Sequence, residues 1–295
     1  MRRRRFFMIV NPGAGLAGVP LVRDVVAALE AAGASVSTQM PGGPAAARAA
    51  TRQAAASGTF DAVLAAGGDG TIRQSAAALV GCDVPLGVIP VGTGNVLAHE
   101  IGLEPTPQAV ARMLLDGPAV PVACAQANGE PFLLMAGIGF DGRVVGALDQ
   151  RLKSRIGKAA YMAPVIGALI RPVDRLSLSI DGRPHDASWA VISNARHYGG
   201  RFVMAPRTGI RERGLEAILF KANHAGTLAR QLLSLATGRL DVRAQNRKDV
   251  EMLRCSRVSV TTHHPVPTQI DGDAFGATPI DIAAGSEEVR LIVPD

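Results

Sequence analysis

The run Phe60-Asp61-Ala62-Val63-Leu64-Ala65-Ala66-Gly67-Gly68-Asp69-Gly70-Thr71-Ile72 has the form of a strand that ends in an anion-binding turn. An apolar strand over Phe60 to Ala66 enters two glycines, an acid, a third glycine and a threonine, and a helical pattern continues from Ile72 to Leu79. Glycines let backbone N–H groups approach an anion with no Cβ in the way, and the N-terminus of the helix that follows favours negative charge. An aspartate cannot itself attract phosphate, so Asp69 implies a metal ion or a positioned hydroxyl in the same place. The combination points to nucleotide phosphate chemistry rather than passive binding.

On both sides of this run, strands alternate with helices. Phe6 to Val10, Ser35 to Thr38 and Leu86 to Pro90 read as strands. Leu21 to Ala32, Pro44 to Ser57, Val96 to Ile101 and Thr106 to Leu115 read as helices, the first stopped at Gly33. Such alternation predicts crossovers and a parallel sheet, with ligands outside the carboxyl ends of the strands. After Pro118 the texture changes to short β-like runs: Val120 to Ala127, Phe132 to Ala136, Leu176 to Ile180, Trp189 to Ser193, Ala217 to Phe220, Val258 to Thr262 and Pro267 to Ile270. Turn pairs such as Asn128-Gly129 and Asp181-Gly182 separate them, which predicts an antiparallel β domain with helices inserted near Asp149 to Leu169 and Thr227 to Leu235. A last strand, Val289 to Val293, can return to the first domain.

Composition narrows the function classes. Aromatic residues make up 4% of the 295-residue chain, too few for recognition of single-stranded nucleic acid by stacking, so no nucleic-acid partner is expected. Cys82, Cys124 and Cys255 lie far apart with no CxxC spacing, which argues against zinc and for a reducing, cytoplasmic compartment. Arg2 to Arg5 precede an apolar stretch that Asn11-Pro12-Gly13 breaks at once, so this start reads as a strand and not as a signal peptide. No apolar run approaches the ~20 residues of a membrane span. The net charge of +6 admits an anionic partner, and a homodimer is compatible with everything the sequence contains.

Several further motifs carry two readings each. Gly13-Ala14-Gly15-Leu16-Ala17-Gly18 has the form of a dinucleotide fingerprint, but the second strand ends Val36-Ser37-Thr38-Gln39 without the acid that would hold a ribose. Gly137-Ile138-Gly139-Phe140-Asp141-Gly142 repeats that pattern in the β-rich half. Pro90-Val91-Gly92-Thr93-Gly94-Asn95 follows a strand and opens a helix; it is an ordinary turn, or a second phosphate loop on the same sheet edge as Gly67 to Thr71. Asp271-Gly272-Asp273 is a β-turn, or a pair of carboxylates able to supply a general base. Lys153, Arg155, Lys158 and Arg171 bracket the apolar stretch Ala159 to Ile170, either a buried helix or one lying at an anionic membrane surface. No GxxxxGK[ST], GxSxG or protein-kinase motif set is present.

Taken in order, Asn11-Pro12-x-Ala14-Gly15, Gly67-Gly68-Asp69-Gly70-Thr71, Gly92-Thr93-Gly94-Asn95, Gly137-Ile138-Gly139-Phe140-Asp141 and Asp271-Gly272-Asp273 resemble the diacylglycerol kinase catalytic-domain family, which includes soluble bacterial lipid kinases and sphingosine kinases. The resemblance implies an α/β ATP-binding domain over residues 1–118, NAD kinase-like and joined by residues 287–295, and an antiparallel β-sandwich lipid-substrate domain over 119–286, with the active site in the cleft between them. ATP would contact Gly67, Gly68, Asp69, Gly70, Thr71, Ile72 and Arg73, with Asn11, Thr38, Gly92, Thr93, Gly94 and Asn95 around them. Asp69 would sit near Mg2+. Asp273, alone or with Asp271, would take the proton from the lipid hydroxyl, and Lys153, Arg155 and Lys158 would meet a transient anionic membrane at its inner face. The chain departs from the family in three places: Asp273 stands where a glutamate is usual, Val96 where an acid is common, and Arg213-Gly214-Leu215-Glu216 where an accessory magnesium segment begins with an acid. The Gly67 to Thr71 loop is shared with NAD kinases, which leaves an NAD kinase-like nucleotide kinase as an alternative, and the departures at Asp273 and Arg213 to Glu216 leave room for a non-catalytic sensor of lipid or nucleotide.

Overall fold

The computed structural model describes residues 2–11, 19–149, 152, 157–222, 224–246 and 249–295. The Gly13 to Gly18 motif, Lys153 and Arg155 lie outside the described residues. The chain divides into two compact units, Met1–Cys124 with Glu287–Asp295, and Ala125–Ser286.

In the first unit β1 (Arg5–Val10), α1 (Val19–Ala31), β2 (Ser35–Gln39), α2 (Pro44–Ala56), β3 (Ala62–Gly67), α3 (Asp69–Leu79), β4 (Leu86–Pro90), α4 (Val96–Glu100), α5 (Pro107–Asp116) and β5 (Ala119–Ala123) follow one another. The sheet order is β2-β1-β3-β4, then the chain's last strand Glu288–Ile292, then β5. β1 to β4 are mutually parallel, and β3 and β4 are buried along their whole length, as expected of central strands covered on both faces. α2 is rich in alanine where it lies close on β1: Ala47 and Ala50 pack on Ile9, and Pro44 starts the helix where its missing N–H costs nothing. α1 ends at Gly33, whose φ of 81° closes the helix in the left-handed region.

The boundary between units falls after Cys124, not after Pro118 as expected. β5 pairs antiparallel with the last strand from Ala119↔Ile292 to Ala123↔Glu288, which binds it to the first sheet. The expected single strand Val120 to Ala127 is therefore two, broken where the Cys124 N–H donates to the Glu287 carbonyl at 3.1 Å.

The second unit holds β6 (Ala125–Ala127), β7 (Glu130–Phe132), β8 (Met135–Ile138), α6 (Phe140–Gly146), a 3-10 turn over Gly157–Tyr161, α7 (Met162–Leu169), β9 (Leu176–Ile180), β10 (Arg183–Ala187), β11 (Trp189–Ser193), β12 (His197–Tyr198), β13 (Phe202–Val203), β14 (Leu215–Phe220), α8 (Ala225–Ala236), α9 (Leu240–Asn246), β15 (Val250–Cys255), β16 (Arg257–Thr261), β17 (Pro267–Ile270), β18 (Asp273–Ala277) and β19 (Ile280–Ala283). They form two six-stranded antiparallel sheets, β10-β9-β16-β19-β6-β7 and β15-β14-β11-β8-β17-β18, beside the small hairpin β12-β13. Leu178, Val258 and Ile282 of the first sheet and Ile138, Ile192, Leu219 and Ile270 of the second belong to one buried apolar cluster. β9 shows the alternation of a one-sided strand, buried at Leu176, Leu178 and Ile180. β8, β11 and β14 are buried throughout, with α6 packed on β8 and β17 and the Trp189 ring stacked on Phe220 at 3.8 Å.

Three hairpins share one device. Asn128-Gly129, Asp181-Gly182 and Asp271-Gly272 are two-residue loops with φ values of 47° and 81°, 46° and 82°, and 49° and 83°, the signature of type I′ turns. In each, the side chain of the first residue accepts a backbone N–H from another strand or its flank: Asn128 from Asp281, Asp181 from Ser256 and Arg257, Asp271 from Leu133 to Met135. These turns thus fix register inside a hairpin and pin it to a third segment. The glycines of the Gly137 to Gly142 run do something else. A Cβ on Gly142 would stand 2.1 Å from the Pro267 carbonyl oxygen, so this glycine is what lets α6 lie on β17.

Two substitutions separate these roles. Gly182→Ala has open space around it, so it should cost about 1 kcal/mol, the left-handed penalty alone. Gly142→Ala should cost more, about 1–3 kcal/mol, through overpacking. Chemical denaturation checks both, and a Gly142→Ala protein as stable as the wild type would contradict the packing account.

Candidate active site

The order β2-β1-β3-β4 reverses the direction of winding between β1 and β3, and such a switch point opens a crevice at the carboxyl ends of the strands. Asn11 follows β1 and Gly68 follows β3 at that point. The Asn11 side-chain amide donates to the Thr71 hydroxyl at 3.0 Å, tying the two strand ends together.

The loops after β3 and β4 are in contact, backbone against backbone. A Cβ on Gly92 would lie 2.4 Å from the Gly68 Cα, and one on Gly67 would lie 2.5 Å from the Thr71 side chain. No other residue type permits this approach. Asp69 then bridges them: its carboxylate accepts the Val96 N–H at 3.1 Å and the Leu97 N–H at 3.1 Å. It thereby caps α4, an arrangement that the helix dipole favours. Asn95 precedes that helix in the left-handed conformation, φ 49°, and donates to the Pro90 carbonyl at 3.3 Å. Gly68 starts α3 with no side-chain cap, which leaves the first amides of that helix turned to the crevice end of the sheet.

These contacts unite Asn11, Gly67, Gly68, Asp69, Gly70, Thr71, Gly92, Gly94 and Asn95, with Thr93 half-buried in the second loop. Thr38 is exposed near the end of β2, level with Met8 in the register. Ile72 and Arg73 are 1% and 7% exposed on α3 and belong to the inner side of that helix. The loops fit phosphate oxygens, since they offer backbone amides and the hydroxyls of Thr71 and Thr93. Each oxygen of Asp69 already accepts an N–H, so an Mg2+ brought by a nucleotide would meet only its remaining lone pairs.

In the second unit the two expected carboxylates have unlike surroundings. Asp271 is 4% exposed and accepts the N–H groups of Leu133, Leu134 and Met135 at 2.8, 2.9 and 3.0 Å. Its lone pairs are spent on holding the chain between β7 and β8. Asp273 is half-buried at the start of β18, opposite Ile270. Sharing of the proton between them has no support in this arrangement; of the two, Asp273 is the one within reach of solvent.

A third carboxylate, Asp141 on α6, stood in the sequence only as part of a glycine pattern. It is 3% exposed, accepts from the Tyr198 hydroxyl at 2.5 Å and from the Gln269 amide at 3.4 Å. Gln269 in turn accepts the Gly272 N–H at 2.7 Å, so a line of polar contacts runs from Tyr198 through Asp141 to the turn that carries Asp273. Burial pushes the Asp141 carboxyl up to about 7, against the pull of Tyr198 and Gln269. The Trp189 indole adds a weaker pull without closing a bond of normal geometry. The signal in the sequence was the glycine at 137: a Cβ there would stand 2.3 Å from the Asp141 Oδ2.

Glu216, in the segment where the family has its accessory magnesium, is fully buried and paired with Arg207 through the guanidinium at 2.9 Å and the backbone N–H at 3.0 Å. Its charge is already balanced from within the chain. Lys158 lies in the 3-10 turn Gly157–Tyr161.

The diacylglycerol kinase catalytic domain matches residues 5–127, and the YegS C-terminal NAD kinase beta sandwich-like domain matches residues 135–293. The chain belongs to the diacylglycerol kinase family that carries these two domains. A diacylglycerol kinase of Mycobacterium tuberculosis is 28% identical over 302 residues, covering 97% of this chain and 94% of that one. An uncharacterized Synechocystis protein is 28% identical over 236 residues, 79% of this chain but only 54% of its own length. The fold matches a crystal structure of a diacylglycerol kinase from Bacillus anthracis at a TM-score of 0.72 and 19% identity, over 99% of this chain and 98% of that one.

Asp141 makes stability depend on pH. Its folded value near 7 lies above the unfolded value of 3.8, so the native state holds a proton that the unfolded chain releases. The stabilisation is complete below the unfolded value and is lost as pH rises through about 7. Melting temperature should therefore fall between pH 5 and pH 8 (roughly the span of that linkage) more steeply in the wild type than in Asp141→Asn. Parallel curves would contradict the assignment.

Proposed function

We propose that this protein transfers the γ-phosphate of ATP to a hydroxyl of a diacylglycerol- or sphingoid-like lipid. The observation that carries the reading is the interlocked pair of glycine loops at the switch point of a parallel sheet, in a chain of the diacylglycerol kinase family. The backbone amides around Gly68, Gly70, Gly92 and Gly94, with the Thr71 and Thr93 hydroxyls, hold the phosphates; Asn11 and Thr38 flank the nucleotide. Mg2+ bound with ATP supplies charge neutralisation on the phosphates.

The lipid oxygen attacks the γ-phosphorus, its bond to phosphorus forms as the bond to the ADP oxygen breaks, and its proton passes to Asp273. Asp271 acts beside it as the anchor of the turn. The aspartate at 273 is one methylene shorter than the family's glutamate, so the lipid hydroxyl has to come closer to the β17–β18 hairpin. A second reading rests on the description of the matched C-terminal domain as NAD kinase beta sandwich-like: phosphate transfer to a soluble nucleotide with no lipid.

The test is phosphorylation by purified protein with labelled ATP, Mg2+ and mixed micelles of diacylglycerol or a sphingoid base. Label should appear in lipid, and Asp273→Asn should lower the rate by at least ~10²-fold with ATP binding unchanged. Label in a soluble nucleotide alone would favour the second reading, and an undiminished Asp273→Asn rate would remove that residue from the mechanism.

A further inference from the structure

α7 runs Met162-Ala163-Pro164-Val165-Ile166-Gly167-Ala168-Leu169 without a charged or polar side chain, and Ala168 is the one residue of the eight that is buried. It packs on α6 and touches α8, yet Met162 is 63% exposed, Ile166 54%, and Ile170 just beyond its end 79%. The spacing of four puts these side chains on one stripe. An apolar helix left in water in this way is not a stable solution by itself.

The neighbouring elements carry the same feature. α8 touches both α7 and β13. On α8, Leu233 is 62% exposed; on the hairpin, Phe202 and Val203 are 40% and 38% exposed. Beside each of these apolar groups stands an exposed arginine: Arg171 after Ile170, Arg230 one turn before Leu233, Arg201 before Phe202. Segments 157–173, 197–206 and 225–240 together contain five lysines and arginines, and none of the three contains an acid. Exposed apolar side chains with arginines next to them in the chain and no acid in their segments fit the boundary between acyl chains and anionic head groups, where the apolar area is buried and each cation gains from the surface potential.

We propose that α7, the β12–β13 hairpin and the exposed side of α8 form one docking surface for an anionic lipid bilayer. The proposal rests on the reading of this protein as a lipid kinase, since the bilayer is where a diacylglycerol- or sphingoid-like substrate resides. It enlarges the surface beyond the single basic-apolar helix legible in the sequence. Phe202 and Leu233 come from segments with no sequence signal for it.

Vesicle co-sedimentation tests this without any turnover, so that a failed kinase assay and a failed docking assay are separate results. The full chain should bind vesicles of equal phosphatidylglycerol and phosphatidylcholine and bind pure phosphatidylcholine at least ~10-fold more weakly, with affinity falling as salt rises. Ile166→Glu with Phe202→Glu should lose at least ~10-fold of the binding. Ile170→Glu, at a site 79% exposed, should lose binding with an unchanged melting temperature, which keeps the test valid if the double variant fails to fold. Equal binding of both vesicle types, or variants that bind as the wild type does, would overturn the proposal. So would a concentration-dependent dimer that Ile170→Glu splits while vesicles go unbound, because a second copy of the chain would then be the occupant.

Discussion

The contact between the Gly68 and Gly92 backbones is the constraint on which the arrangement of the first unit's glycine loops depends. Two loops can present their amides to one anion only if nothing stands between them, and here a single added Cβ would reach within 2.4 Å of the opposing Cα. Close approach alone would leave the loops free to slide. Asp69 prevents that by accepting two amides from the start of α4, and the Asn11–Thr71 bond fixes the β1 end against the same turn. The acid in the glycine loop thus has a structural task in the protein as it stands: it ties the turn after β3 to the start of α4.

The second unit solves a different problem, the burial of acids in a β-sandwich. Asp271 is hydrogen-bonded by backbone amides, Glu216 is paired with Arg207, and burial raises Asp141 so that it takes up a proton near neutral pH. Burying a carboxylate is costly unless it is paired, hydrogen-bonded or protonated, and the three sites use the three remedies in turn. Their placement is not arbitrary. Asp271 and Asp141 converge, the latter through Gln269, on the turn that carries Asp273. The half-buried Asp273 thus starts a strand from a turn that is held through both neighbours.

Much of this was legible in the sequence because its signals were local. β4, β9, β11 and β17 stand where alternation and turn residues put them, and Asn128-Gly129 and Asp181-Gly182 turn as Asx-Gly pairs should. β10 gave no signal: Arg-Pro-His-Asp-Ala is polar, and it is a strand because the hairpin at Asp181-Gly182 lays it on β9. α6 was hidden for the opposite reason, since its Gly142 suits contact with β17 rather than helix formation. The two aspartates of Asp271-Gly272-Asp273 look alike in sequence. What separates them, three amides from residues more than a hundred positions away, belongs to tertiary structure.

The most direct measurement is the affinity for ATP of the wild type and of Gly92→Ala, by calorimetry on the same preparations. If the two glycine loops hold the phosphates by touching, the added methyl group parts them, and ATP binding should weaken by at least ~10-fold, about 1.4 kcal/mol, in a protein that stays folded. Undiminished ATP binding by Gly92→Ala would contradict the account.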